Sequence, residues 1–200
     1  MQNKKTMKQN RRRQTTRRFR LTDTQIVISV AVSVLVVLGG LVVYGASQYS
    51  KTQATIEGVE SFRFVETKHQ DGLIAYEQKP PAGGKHNAVW QNCGVYDQSI
   101  QNETAVHSLE HGAVWITYRP DLPTTEVERL QTVTRQSPQR LLSPFPDLPA
   151  PIMVSSWGYQ LKLDRSDDPR LLQFINKYEN SASAPEPGAS CAGGVGQPKS

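Results

Sequence analysis

The chain has 200 residues, with 23 Lys/Arg against 18 Asp/Glu and 37% hydrophobic residues, which allows one ordinary domain with appendages. The formal charge of +5 is misplaced as a chain-wide property: the first twenty residues hold nine of the cations and no acid, leaving a balance of −4 on the rest. A mildly acidic body behind a basic arm does not point to nucleic acid, and without a Walker loop, a dinucleotide fingerprint or a CxxC pair there is no support for nucleotide or thiol-exchange chemistry.

The arm, residues 1–23, precedes an apolar stretch at 24–47 whose core, residues 26–46, carries no charge. At ~1.5 Å per residue that core spans ~30 Å, the thickness of a bilayer's hydrocarbon layer. Val and Ile dominate it, but in lipid the backbone has no partner except itself, so a single transmembrane helix is expected, with Gly39 and Gly40 tolerated. Tyr44 and Tyr49 stand near its exit, where aromatics favour the interface. A cleaved signal peptide is the competing reading; its apolar region is normally ~7–15 residues and ends in a small-x-small site. Here the run is longer, and Tyr44 fills the −3 place of a cut after Ala46. The positive-inside rule keeps the arm cytoplasmic and sends everything after about Ser50 outside the plasma membrane, with anionic headgroups of the inner leaflet as the arm's partner.

Residues 48–57 are expected to tether a small mixed α+β extracytoplasmic domain over residues 58–179, followed by a Pro/Gly/Ser-rich tail at 180–200. Val59, Phe62, Phe64 and Val65 read as a first strand and residues 73–76 as a second, separated by a turn at Lys68-His69-Gln70-Asp71-Gly72. Pro80-Pro81-Ala82-Gly83-Gly84 must be a loop and delivers His86. A short helix over 103–111 has Asn102 as N-cap and Gly112 as stop. Residues 113–118 form a nearly continuous apolar run, expected as a buried strand. Thr125 and Glu128 fit a capping box for a helix to about Gln136 with Val127, Leu130 and Val133 inward. A proline-rich crossing then leads to strands at 152–156 and 157–163. Asp168-Pro169 opens a last helix with Leu171, Leu172, Phe174, Ile175 and Tyr178 as its apolar stripe. From Asn180 the composition gives order only around Cys191.

The chemistry concentrates in His107-Ser108-Leu109-Glu110-His111-Gly112. On a helix, positions 107, 110 and 111 share one face, so two imidazoles and a carboxylate can hold a borderline divalent cation. All four histidines of the chain fall between residues 69 and 111, and His86 sits on a glycine-rich loop. The expected metal set is therefore His86, His107, Glu110 and His111, with Cu or Zn as the ion. Two other readings stand beside it: a non-enzymatic envelope protein-interaction module, and a zinc hydrolase through H-x-x-E-H. Gly112 ends the helix too early for the long helix such hydrolases use, and the reading leans away from an enzyme. Met153, in an apolar strand, could offer a soft thioether beside the histidines but is expected as core filler, and Trp90, Trp115 and Trp157 could wall the site, with core packing as the default. Cys93 and Cys191 are expected to be bridged, closing about 98 residues, with a Cys93 metal thiolate as the alternative.

The order Tyr76…Pro80-Pro81…Gly84-Lys85-His86…Trp90…Gly94-Val95-Tyr96, then Val106-His107-Ser108-Leu109-Glu110-His111-Gly112-Ala113-Val114…Tyr118, resembles domain-of-unknown-function family 3105. Pro151…Ser156-Trp157-Gly158, the segment from Phe174 to Tyr178 and Pro185-Glu186 fit the same pattern, so the resemblance covers about residues 55–188. Between the prolines and His86 this chain has Ala82-Gly83-Gly84-Lys85, a minor departure. The resemblance implies a bacterial, often actinobacterial, protein with one N-terminal membrane helix, and brings no activity with it.

Overall fold

The computed structural model describes residues 22–53 and 55–199. Most of the basic arm, up to residue 21, lies outside the described residues. The chain divides into an N-terminal unit, Met1–Gln48, and a C-terminal unit, Tyr49–Ser200. Helix α1 (Asp23–Gln53) contains the stretch Thr24–Gly45, 22 residues without a charge, long and apolar enough to cross a membrane. At ~1.5 Å per residue this measures ~33 Å. The helix continues beyond the expected end at residue 47 into the expected tether, because residues 47–53 contain neither glycine nor proline to stop it.

The C-terminal unit is mixed α+β, built on a six-stranded sheet in the order β1-β6-β5-β3-β4-β2. Its strands are β1 (Val59–Ser61), β2 (Gly94–Val95), β3 (Val114–Tyr118), β4 (Arg140–Pro144), β5 (Ile152–Ser156) and β6 (Tyr159–Leu163). Helices α2 (Asn102–Glu110), α3 (Thr124–Thr134) and α4 (Pro169–Tyr178) complete it. β3 pairs parallel with β4 and antiparallel with β5, and β2 joins β4 in parallel. Two crossovers result: α3 links neighbours β3 and β4, while α2 links β2 to β3 across the intervening β4.

The continuous apolar character of β3 follows from this placement. Val114, Ile116 and Tyr118 enter a core with Leu130 of α3 and Phe174 of α4, while Trp115 enters a second core with Ala105, Val106 and Leu109 of α2. With both faces covered, no polar alternation is needed. Burying Val106 and Leu109 fully contributes about 1.5–3 kcal/mol each. The α2 face of the sheet also carries the loop at residues 80–85, tied by Gln160 Nε2 donating to the Pro80 carbonyl (2.7 Å) and Gly158 N donating to that of Ala82 (2.7 Å).

Several sequence expectations change. The first strand stops at Ser61; Phe64 turns instead toward Trp157, its ring 6.0 Å away, and Val65 is fully exposed. Residues 73–76 are no strand: Ile74 N donates to a side chain, Glu103 Oε1 (2.9 Å). The proline-rich crossing contains β4, whose Leu141 and Leu142 point to opposite cores and whose Pro144 sits at the strand end, where a missing N–H does least harm. Asn102 is the first helical residue, not the cap, which is Gln101; Pro123 likewise stands where Thr125 and Glu128 suggested a capping box. Asp168 does cap α4, accepting from Arg170 N, but Leu172 is half exposed. The tail is ordered well beyond Cys191. Backbone bonds run from Cys93 N to the Cys191 carbonyl, from Asn92 N to Val195 and from Lys199 N to Val95 (each 2.8 Å). Glycine makes that approach possible, since a Cβ on Gly194 would lie 2.2 Å from the Trp90 carbonyl oxygen.

Candidate metal centre

Helix α2 supplies two groups, His107 and Glu110, one turn apart. Its apolar residues face Trp115, so its polar ones are left to the loops, and residues 86–91 run alongside to take them up. Ser108 Oγ donates to the Gln91 carbonyl (2.7 Å), Gln91 N to that of Thr104 (3.0 Å) and Asn87 N to that of Glu103 (3.2 Å). These bonds bring His86, at the start of the segment, against the helix. Phe64 packs on Gly83 so closely that a Cβ there would sit 2.5 Å from the ring, which fixes the loop entering His86. His69 arrives by an isolated parallel bridge to His86, with Gln70 N donating to the His86 carbonyl (2.7 Å).

Ligand atoms of His69, His86, His107 and Glu110 all lie within 4.8 Å of one another. Oε2 of Glu110 is the common point: Nε2 of His86 stands 2.9 Å from it, and those of His69 and His107 3.8 Å. The buried imidazoles are oriented from behind. Nδ1 of His86 faces the Gly84 carbonyl (2.9 Å) and Nδ1 of His107 the Asn87 carbonyl (2.7 Å). A carbonyl only accepts, so each Nδ1 carries a proton, and a neutral ring then presents a bare Nε2 lone pair toward the carboxylate. Bare nitrogens crowded on a carboxylate oxygen require a positive charge among them.

Without a metal, a proton on His86 serves. Burial pushes the His86 pKa down, but the hydrogen bond it donates to Glu110, its bond to the Gly84 carbonyl and the Glu110 charge outweigh it and hold it above the ordinary value. Burial would raise Glu110, yet His86 and the neighbouring imidazoles hold its pKa below the usual carboxylate range. His107 is depressed, first by burial and then by the like charges of His111 and His86.

The structure brings three of the expected ligands together, His86, His107 and Glu110, and adds His69. His111 stands beside them, its ring 4.7 Å from that of His107, but is not one of the four converging groups. Its Nδ1 donates to the Ser190 carbonyl (2.7 Å) and its Nε2 lies 3.7 Å from Glu186 Oε2. The tail explains this: His111 keeps helical backbone and lies on the same face, but the Ser190 carbonyl holds its Nδ1 and turns its Nε2 toward Glu186. His69 was legible only as one of four crowded histidines, because its approach depends on a bridge across 17 residues. Trp157 and Trp90 wall the centre, 5.8 Å from His86 and 5.6 Å from His107, whereas Trp115 is core, as expected. Met153 packs with Leu148 and Ala150.

Cys93 and Cys191 form a disulfide, which excludes the thiolate reading. It holds the tail over the end of α2: Glu186 N and Gly188 N donate to the carbonyls of Glu110 and His111 (both 3.0 Å). Those carbonyls have no partner within the helix, so the tail completes the very turn that carries the ligand.

Comparison with curated proteins and with solved structures returned no match. A family model, in contrast, matches residues 67–193, an interval that spans His69, His86, His107, Glu110 and both cysteines. The chain therefore belongs to the family described as protein of unknown function DUF3105.

Proposed function

We propose that this protein is a single-pass membrane-anchored, extracytoplasmic binder of one divalent transition ion, Cu(II) or Zn(II), held by Nε2 of His69, His86 and His107 and Oε2 of Glu110. The observation that carries the reading is the convergence of those atoms within 4.8 Å, with the two buried rings locked from behind by backbone carbonyls. Ligands ~2.0–2.2 Å from a tetrahedral ion lie roughly 3.3–3.6 Å apart. The separations of 2.9, 3.8 and 3.8 Å from Glu110 Oε2 bracket that range, and the widest spacing among the four atoms, within 4.8 Å, closes to it by a shift of about an ångström. Imidazole ligation suits copper and zinc alike, and the Irving–Williams order favours copper at equal supply.

Scattered histidines would have supported the interaction-module reading, and these converge. Hydrolysis through H-x-x-E-H needs both motif histidines on the metal and the carboxylate free to activate water; here His111 faces Glu186, and Glu110 sits among the converging ligands. The anchor reading is supported by the uncharged stretch Thr24–Gly45, the basic arm before it and the disulfide, a bond of oxidising compartments. Isothermal titration of the full-length protein in detergent with Cu(II) and Zn(II) tests the metal. One ion per chain is expected, with binding lost in His107→Ala and Glu110→Ala. No binding, or equal binding by the variants, ends the reading. A reporter fused after residue 100 that reads cytoplasmic would overturn the orientation.

A further inference from the structure

The four converging groups are not equivalent. The side chains of His86, His107 and Glu110 are 0%, 6% and 10% exposed, while that of His69 is 54% exposed. Both buried rings have a backbone carbonyl behind Nδ1; among the described residues no hydrogen bond holds either nitrogen of His69. Its segment is held as lightly. Apart from the ring contacts of His69 and its 3.8 Å approach to Glu110, the ties of residues 65–73 among the described residues are one backbone bond, Gln70 N to the His86 carbonyl, and an exposed ion pair between Glu66 and Lys85. Val65 and Leu73, which bound the segment, are 100% and 92% exposed and so contribute almost no packing. The His69 ring instead lies stacked on His107, centroids 5.0 Å apart, covering the centre from the solvent side.

We infer that His86, His107 and Glu110 form a preformed half-site and that His69 is its exchangeable fourth ligand, whose coordination position is open to a small external Lewis base such as azide, hydroxide or a free imidazole. This rests on the metal reading above and specifies which side of the ion reacts with the outside. A carbonyl-locked ring returns to the same position after each departure, whereas an exposed, unsupported one competes on equal terms with dissolved donors. Loss of His69 removes one metal–nitrogen bond and leaves the position to water or to the added base; no electron is transferred.

The test uses full-length protein in detergent, loaded with Cu(II), in wild type, His69→Ala and His107→Ala, followed by titration calorimetry and by the visible and paramagnetic-resonance spectra on adding azide or imidazole. His69→Ala is expected to bind one ion about tenfold more weakly than wild type, a step of about 1.4 kcal/mol, and His107→Ala to lose far more. The loaded wild type is expected to change spectrum with either probe as His69 is displaced, and the loaded His69→Ala protein to do so at lower concentration; a wild type unaltered at every probe concentration overturns the inference. If His69→Ala loses metal as completely as His107→Ala, or its spectrum ignores both probes, the inference is overturned while the metal reading stands. If wild type binds no ion, both fall together. Because His69 is half exposed, its replacement is expected to leave the melting temperature of the metal-free protein unchanged, which separates a ligand effect from misfolding.

Discussion

Removing the disulfide by Cys93→Ser with Cys191→Ser is expected to destabilise the C-terminal unit heavily. The bridge joins positions 98 residues apart with Cα atoms 5.3 Å apart. Freeing a loop of that length returns about 4.7 kcal/mol of chain entropy to the unfolded state. Domains of this size are stable by about 5–15 kcal/mol, so the bridge accounts for a large share. At about 2–4 °C per kcal/mol, the melting temperature is expected to fall by roughly 9–19 °C. The loss has a local part as well. The tail supplies Glu186 N and Gly188 N to the end of α2 and Ser190's carbonyl to His111, so releasing it loosens the turn carrying Glu110. Tryptophan fluorescence melts of full-length protein in detergent with a chelator present provide the assay, since Trp90 is packed against the tail at Gly194. A double variant melting within a few degrees of wild type would refute the claim that the bridge fastens the tail to the domain.

Gly194→Ala would place its Cβ 2.2 Å from the Trp90 carbonyl oxygen, so an overpacking loss of about 1–3 kcal/mol is expected in chemical denaturation, whereas Gly72→Ala, with nothing within 4 Å, should lose only what its positive φ imposes. Glu110→Gln separates charge from shape: the His86 pKa is raised in the fold, so its contribution is complete below the unfolded value of ~6.5 and vanishes as pH rises through the folded one. Glu110's own pKa is lowered, so its contribution is complete above ~4.3 and is lost as pH falls through the folded value. The stability gap between wild type and Glu110→Gln, measured in urea without metal, is therefore expected to peak at about pH 4.3–6.5, and a gap independent of pH would contradict the ion pair. Metal affinity should rise with pH until the raised folded pKa of His86, above the ordinary ~6.5, has been passed and no proton is left to displace, and a calorimetric profile flat from acid pH through and above ~6.5 would deny the exchange of proton for ion.

The parts of the molecule visible in the sequence are those set by local rules. The uncharged stretch after the arm, the apolar run of β3, the Asp168-Pro169 start of α4 and the helix bearing His107 and Glu110 each follow from neighbouring residues. What stayed hidden depends on contact across distance. β4 has only Leu141 and Leu142 between prolines, too few to show a period, and becomes a strand because β3 and β2 flank it. The tail has the composition of a linker, yet its glycines are what let it lie against Trp90 and Gln91. The centre divides in the same way. His107 and Glu110 share a face by helix geometry, and His86 was marked by the glycine loop before it. His69 joins through a bridge that no spacing rule encodes, and His111, adjacent in sequence to Glu110, is turned toward Glu186 by the tail's Ser190 carbonyl on its Nδ1.

X-ray absorption of the copper- or zinc-loaded full-length protein, after gel filtration removes loose ion, addresses the central claim most directly. One retained ion per chain is expected, with nitrogen and oxygen neighbours at ~2.0–2.2 Å and outer-shell scattering from three imidazoles, falling to two in His69→Ala. An ion lost on the column, or retained with no imidazole scattering, would contradict it.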